Sequence, residues 1–342
     1  MEKKINVLSI DGGGTRGLMP STILHCLENE TGRSVTDVFD VIVGSATGGI
    51  IAASLAAGMR TNEIMEIYQN QASYILPSGF FRRVWNPLNL FAPRYPNKNL
   101  KKLLREKFGP GTMMADVYNN FGSGTIFLLA SLDLSPELSA GEPLAFKIII
   151  YNSAMAGHQS ENLVDLALRT SAAAINLPIY QRYTEGGNYA NDPALAGFSF
   201  CINKKQGISG ESLLAGNKLG LGASVEDVRV LSLGCGSDGG SYFSSDEIGK
   251  GNWGLIKWMS RLVNLVIDTN MVYTQYLMNE MSETGNYLRI NPYYKSKEAP
   301  AVLRNEKLRI DVTKKEHLDA IRSFAEQTFD KEKSRIKAFL EL

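Results

Sequence analysis

The sequence predicts an α/β fold with helices on both faces of a mostly parallel central sheet. Two observations lead there. Two strand, glycine-turn, helix units open the chain, and apolar strand-length runs alternate with amphipathic helix-length runs through much of the remainder. The 342 residues can bury a sizeable core, as one large domain or two smaller ones.

Taken in order, INVLSI (5–10) reads as a core strand, DGGGTRG (11–17) as a tight loop, and residues 19–30 as an apolar helix. FDVIVG (39–44) repeats the strand, GSATG (44–48) the turn, and residues 49–57 the helix. Ile64, Ile67 and Tyr68 share one face of a helix over 61–71. Residues 73–99 are irregular, broken by prolines and rich in aromatics, before a helix at 100–108. GTIFLLASLDLS and PLAFKIIIY read as two buried strands joined by a turn-rich loop. Residues 163–174 read as helix and 176–197 as loop with short strands. VRVLSLGCG (228–236) is a further strand, 253–281 a long helix, and NYLRINP a last strand. The C-terminal run is an amphipathic helix whose charges form a solvated face. No repeat or low-complexity tract interrupts this order.

A formal net charge of +1 argues against a protein devoted to gripping DNA or RNA polymers. Cys26, Cys201 and Cys235 are odd in number and far apart, which suits a reducing compartment better than disulfides or a zinc site. No metal or other cofactor is expected. With a core strand starting at residue 5 no signal peptide is expected, and the longest apolar candidate, 38–57, contains Asp40 and several glycines. The expectation is a cytoplasmic protein whose membrane contact is peripheral. Any mechanism needing a histidine must use His25, His158 or His317. None accompanies a motif, so each is expected to be structural or exposed.

Gly12, Gly14 and Gly17 spell the G-x-G-x-x-G dinucleotide fingerprint. A Rossmann unit also needs a second strand ending in an acid about 20 residues on, and here that region is polar and loop-like. Converging glycine N–H groups at a helix N-terminus serve a tetrahedral oxyanion equally well. An oxyanion hole, a nucleotide cradle and a plain tight turn are therefore the three readings of this loop. GSATG matches the G-x-S-x-G nucleophile elbow except at its centre, where Ala46 replaces the serine. Ser45 and Thr47 carry hydroxyls, but elbow geometry points them elsewhere.

With DGGGTRG at 11–17, GSATG at 44–48 and EGG at 185–187 in that order, the chain resembles the patatin-like phospholipases. RTSAAAINLPIY, GGNYANDPA, VLSLGCG and NYLRI extend the likeness, which runs from about residue 5 to 291. The resemblance implies a three-layer α/β/α patatin-like fold over residues 1–295, with 296–342 a helical extension packed on it. It implies lipid acyl hydrolysis by a serine–acid dyad. Position 46 would be the nucleophile, Glu185 the base, Gly12, Gly13, Gly14 and Arg16 the oxyanion hole, and Gly44 and Gly48 the elbow glycines. Arg16 could equally be an ordinary surface arginine or meet a lipid phosphate.

Two positions depart from the family pattern. Ala46 stands for serine, and a methyl cannot attack a carbonyl; Glu185 stands for aspartate and carries its carboxylate one methylene further. The first departure implies an inactive form of a hydrolase, engineered by removing one hydroxyl, or a natural pseudoenzyme acting as a ligand-binding or signalling module. A dinucleotide-dependent enzyme is the third class.

Phe80, Phe81 and Trp85, with Arg82 and Arg83, suit a membrane contact or a lid, or equally a loop whose rings fill the core. Phospholipid or another acyl lipid is the expected substrate. Some bacterial members of the family are antiphage effectors switched on by cyclic oligonucleotides, so such an activator, a homo-oligomer and a working position at the inner membrane are further expectations.

Overall fold

The computed structural model describes residues 4–77, 86, 89, 91–122, 124–136, 145–239, 242–306 and 308–342, the side chains of 256, 259, 260 and 263 apart. Phe80, Phe81, Arg82, Arg83 and Trp85 lie outside the described residues.

Among the described residues seven strands form one sheet: β1 Ile5–Ile10, β2 Val41–Ser45, β3 Ile126–Asp133, β4 Lys147–Asn152, β5 Tyr183–Glu185, β6 Val228–Leu233 and β7 Tyr287–Ile290. The spatial order is β4-β3-β2-β1-β6-β7, with β5 also paired to β3. Pairings from β3 through β7 along this order are parallel; β4 and β5 run antiparallel to β3.

β1, β2 and β6 are buried along their whole lengths or nearly so, which is why they read as unbroken apolar runs. Leu8, Ile10 and Ile42 enter one core together with α1 (Leu18–Thr31), α2 (Thr47–Ala56), α3 (Thr61–Ile75) and α4 (Lys98–Phe108). Val7, Val41 and Val43, on the alternate positions, enter a second core with Phe198 and Cys201. The architecture is therefore α/β with a mostly parallel sheet between helical layers, as the sequence predicts.

β4 differs from its reading as a buried strand. It is a sheet edge whose first residues, Lys147 and Ile148, are exposed. A helix α5 (Met114–Phe121) precedes β3, in a stretch to which the sequence analysis assigns no element. α6 (Leu163–Thr170) stops at Ser171, short of the expected 174. Residues 194–197, read as loop, begin helix α7 (Ala194–Ile202), with Pro193 at its N-cap. α8 (Leu255–Met281) and α9 (Lys315–Leu340) follow the sequence closely. α9 packs along α1 and sends Leu318, Ile321, Phe324 and Phe329 into the first core, its charges facing outward.

Among the described residues no helix is long and apolar enough to cross a membrane.

Candidate active site

The sheet brings two of the motifs together by an arrangement of strand edges. β3 pairs with β4 along one edge, so β2 and β5 share the other, end to end. Ser45, the last residue of β2, is registered with Ala130; Glu185, the last of β5, with Ser131. The turn after β2 and the carboxylate of Glu185 thus leave the sheet from adjacent positions on β3.

Ala46 occupies that turn with φ 49°, in the region L-residues avoid. Such a backbone costs on the order of 1–3 kcal/mol and persists only where its surroundings impose it. The surroundings do so here. The Ala46 N–H donates to Thr170 Oγ1 at 3.2 Å, and that hydroxyl donates to the Ala130 carbonyl at 2.6 Å. At Gly48 any Cβ would collide with the Ile10 carbonyl, so α2 can start this close to β1 only with glycine there. Ser45 is fully buried, and the Thr47 hydroxyl donates to the Gly14 carbonyl at 2.8 Å, also touching the Tyr68 hydroxyl at 2.8 Å. Neither hydroxyl replaces the missing one.

The glycine loop is held from three sides. Gly12 donates its N–H to the Asn191 carbonyl at 2.9 Å, and the Asn191 side chain returns a bond to the Gly12 carbonyl at 3.2 Å. Thr15 donates its N–H to the Ile310 carbonyl at 2.8 Å, with Gly14 (φ 61°) packed so closely on that carbonyl that a side chain would not fit. Beneath the loop, Arg289 makes a two-pronged ion pair with Asp11 at 2.7 and 2.5 Å and lies 3.4 Å from Asp192. Burial pushes the Asp11 carboxyl up to about 7 against the opposing pull of Arg289. Asn191, Thr170, Arg289 and Ile310 were not singled out by the sequence reading.

The Gly12 N–H is committed to Asn191, whereas among the described residues no acceptor takes the N–H of Gly13 or Gly14. Arg16 lines the same cavity, tied only weakly by its Nε to the Gly13 carbonyl at 3.5 Å.

Gly12, Gly13, Gly14, Arg16, Ala46 and Glu185 all line one cavity of about 200 Å³. Beside this polar group the lining is mostly apolar, with Ile64, Ile67, Ile75, Leu100, Leu103 and Leu104 from α3 and α4, although Lys107, Asn264 and Asp268 also face it. Burial raises the Glu185 carboxyl to about 7, an N–H bond from Ala174 only partly opposing it. A base near neutrality is suited to proton transfer. Cys235 also faces the cavity, but burial lifts its thiol to about 12, leaving no thiolate to act as nucleophile.

The three histidines do not line this cavity. His158 Nδ1 accepts from the Asn152 N–H at 3.0 Å and His317 Nε2 sits 2.9 Å from Glu306. His25 contacts Asn29 at 3.1 Å on the surface of α1. Among the described residues no group of three or more His, Cys, Asp or Glu could hold a metal. Tyr95, from the aromatic segment, is buried and donates to Asp311 at 2.9 Å, whereas Phe91 is exposed.

The family model described as patatin-like phospholipase matches residues 8–197, more than half of the chain. Patatin-like protein 2 of Oryza sativa subsp. indica is 26% identical, the match covering 98% of this chain and 86% of that protein. The cGAMP-activated phospholipase of Vibrio cholerae serotype O1 is 27% identical, covering 85% of this chain and 82% of that one. Among solved structures, VipD from Legionella pneumophila aligns with a TM-score of 0.40 and 11% identity over 96% of this chain and 67% of that one. The chain belongs to the patatin-like phospholipase family.

Proposed function

We propose that this chain carries the frame of a lipid acyl hydrolase whose cavity takes an acyl ester, and that with alanine at position 46 it binds such a lipid without cleaving it. The observation that carries this reading is the strained φ of Ala46 beside Glu185 and the glycine loop in one cavity. An alanine gains nothing from that backbone; a nucleophile presented to the cavity does.

With a serine at position 46 the steps follow from the geometry. Its hydroxyl attacks the ester carbonyl carbon while Glu185 takes the proton. The tetrahedral oxygen is held by the N–H groups of Gly13 and Gly14 at the start of a helix, donors of a kind worth about 3–4 kcal/mol of barrier. Collapse expels the alcohol of the lipid, which recovers the proton from Glu185. Water then attacks the acyl-enzyme with Glu185 again as base, releasing the fatty acid. The apolar wall from α3 and α4 accommodates the acyl chain.

The test is Ala46→Ser assayed for fatty-acid release from phospholipid vesicles. Release by the variant and none by the parent chain is expected; no release from either defeats the reading.

Residues 296–342 are proposed as an extension of the same domain, since α9 shares the core of α1. Peripheral membrane contact, through a segment including Phe80, Phe81, Arg82, Arg83 and Trp85, remains part of the proposal. A relative whose name states activation by cGAMP supports a cyclic dinucleotide activator and, through it, an effector role in defence. A rise in melting temperature with cGAMP is expected, and the lack of any shift across cyclic di- and trinucleotides speaks against that part alone.

A further inference from the structure

Glu185 is held at two points by one turn. Its N–H donates to the Ala172 carbonyl at 3.1 Å, and its carboxylate takes the Ala174 N–H. The turn closes through the Asn176 and Leu177 N–H groups, which donate to the Ala173 carbonyl at 3.1 and 2.8 Å. At its apex Ile175 has φ 69°, which a β-branched residue adopts only under constraint. Its side chain is 55% exposed, so burial does not offset the strain. The constraint must come from outside the turn.

It comes from residues 94, 95 and 311. The N–H groups of Arg94 and Tyr95 donate to the carbonyls of Ile175 and Asn176, each at 2.8 Å. Those two residues are fixed in turn by the buried Asp311 carboxylate, which accepts the Tyr95 hydroxyl at 2.9 Å and pairs with Arg94 at 3.0 Å. Arg309, itself 60% exposed, pairs with the same carboxylate at 2.8 Å. The preceding residue serves the other half of the site. The Ile310 carbonyl accepts both the N–H and the hydroxyl of Thr15, at 2.8 and 3.2 Å, against Gly14. Tyr95, Ala173, Asn176, Ile310 and Asp311 all line the cavity.

We propose that Asp311 is a positioning residue for Glu185, acting through Tyr95 and Arg94 on the turn that presents the Ala174 N–H. With Ile310 on the glycine loop, two consecutive residues then set how far the base stands from the oxyanion donors. Both lie beyond residues 8–197, the span of the family model. A carboxylate suits this task, because an ionised acceptor makes shorter and stronger hydrogen bonds than a neutral one. Its two partners here are the same two residues whose N–H groups grip the turn. The catalytic consequence depends on the proposed hydrolysis; the grip on the turn does not.

Amide hydrogen exchange of the full chain, read by mass spectrometry, tests the grip without any reaction. Tyr95→Phe and Asp311→Ala should speed exchange over 172–177 roughly tenfold or more, while β2 and the start of α2 exchange as in the parent chain. Unchanged exchange over 172–177, or the same acceleration throughout the chain, overturns the proposal. In the Ala46→Ser background, Tyr95→Phe should lower kcat for fatty-acid release about tenfold to a hundredfold and leave KM within about twofold. The acid limb of the pH profile should move upward, since Glu185 loses a donor to its ionised form. Asp311→Asn keeps an oxygen for the Tyr95 hydroxyl and should recover part of what Asp311→Ala loses. Arg309→Gln removes a partner of that carboxylate that does not touch the turn, and should change kcat by less than about twofold. A loss confined to KM, or an equal loss from Arg309→Gln, overturns the proposal. If Ala46→Ser releases no fatty acid, the hydrolase reading fails and the exchange result alone decides whether Asp311 holds the turn.

Discussion

The two ends of the cavity are held in place by different means. At the polar end a few backbone groups are fixed by single, irreplaceable contacts: Gly48 against the Ile10 carbonyl, Ala46 by Thr170, and Asp11 and Asp192 by one arginine. At the apolar end the wall is shared among many aliphatic side chains of α3 and α4, none individually decisive. Chemistry demands atoms at fixed points, and backbone supplies them with least freedom. Accommodating a chain demands only shape and dryness, which redundancy supplies.

The contrast can be broken most forcefully at Arg289. Arg289→Met leaves two buried carboxylates without their cation, and a loss of about 3–5 kcal/mol in urea unfolding is expected. A loss below about 1 kcal/mol would mean that the polar end is not concentrated on this residue. At the other end, Leu104→Ala removes one member of a shared wall. It should cost about 2–3 kcal/mol, near the low end for buried leucine because the site already borders a void. A larger effect than that of Arg289→Met would reverse the comparison.

Glu185 sharpens it through pH. Burial holds its folded-state carboxyl near 7, above the ordinary 4.5, so the folded state carries a penalty for ionisation. That penalty is absent below about pH 4.5, grows through 7 and is complete above it. Glu185→Gln should therefore stabilise the protein by about 2 kcal/mol at pH 8 and hardly at all at pH 4.5, read from paired unfolding curves. Equal effects at both pH values would show that burial does not control this carboxyl.

The same contrast explains what could be read from the letters. The polar end is written in glycines, and DGGGTRG and GSATG stand out because only those residues permit the close approach. The meeting of Glu185 with residue 46 was not legible from periodicity, since it depends on β2 and β5 sharing one edge of β3. Asn191, Thr170, Arg289 and Ile310 reach the site from distant parts of the chain, and ordinary polar and aliphatic letters do not announce such contacts. The competition for the Gly12 N–H was equally hidden. α7 was obscured because Pro193 and Gly197 punctuate a helix that tertiary burial nevertheless imposes.

The proposed hydrolysis requires a cavity arranged to turn a hydroxyl at position 46 into a nucleophile served by Glu185. The most direct measurement is the pH profile of kcat/KM for fatty-acid release by Ala46→Ser, with and without Glu185→Gln. Activity should fall as pH drops through about 7 and be reduced at least about 100-fold at pH 8 by the second substitution. Hydrolysis that ignores Glu185→Gln, or an Ala46→Ser variant that binds lipid yet releases no fatty acid at any pH, would contradict it.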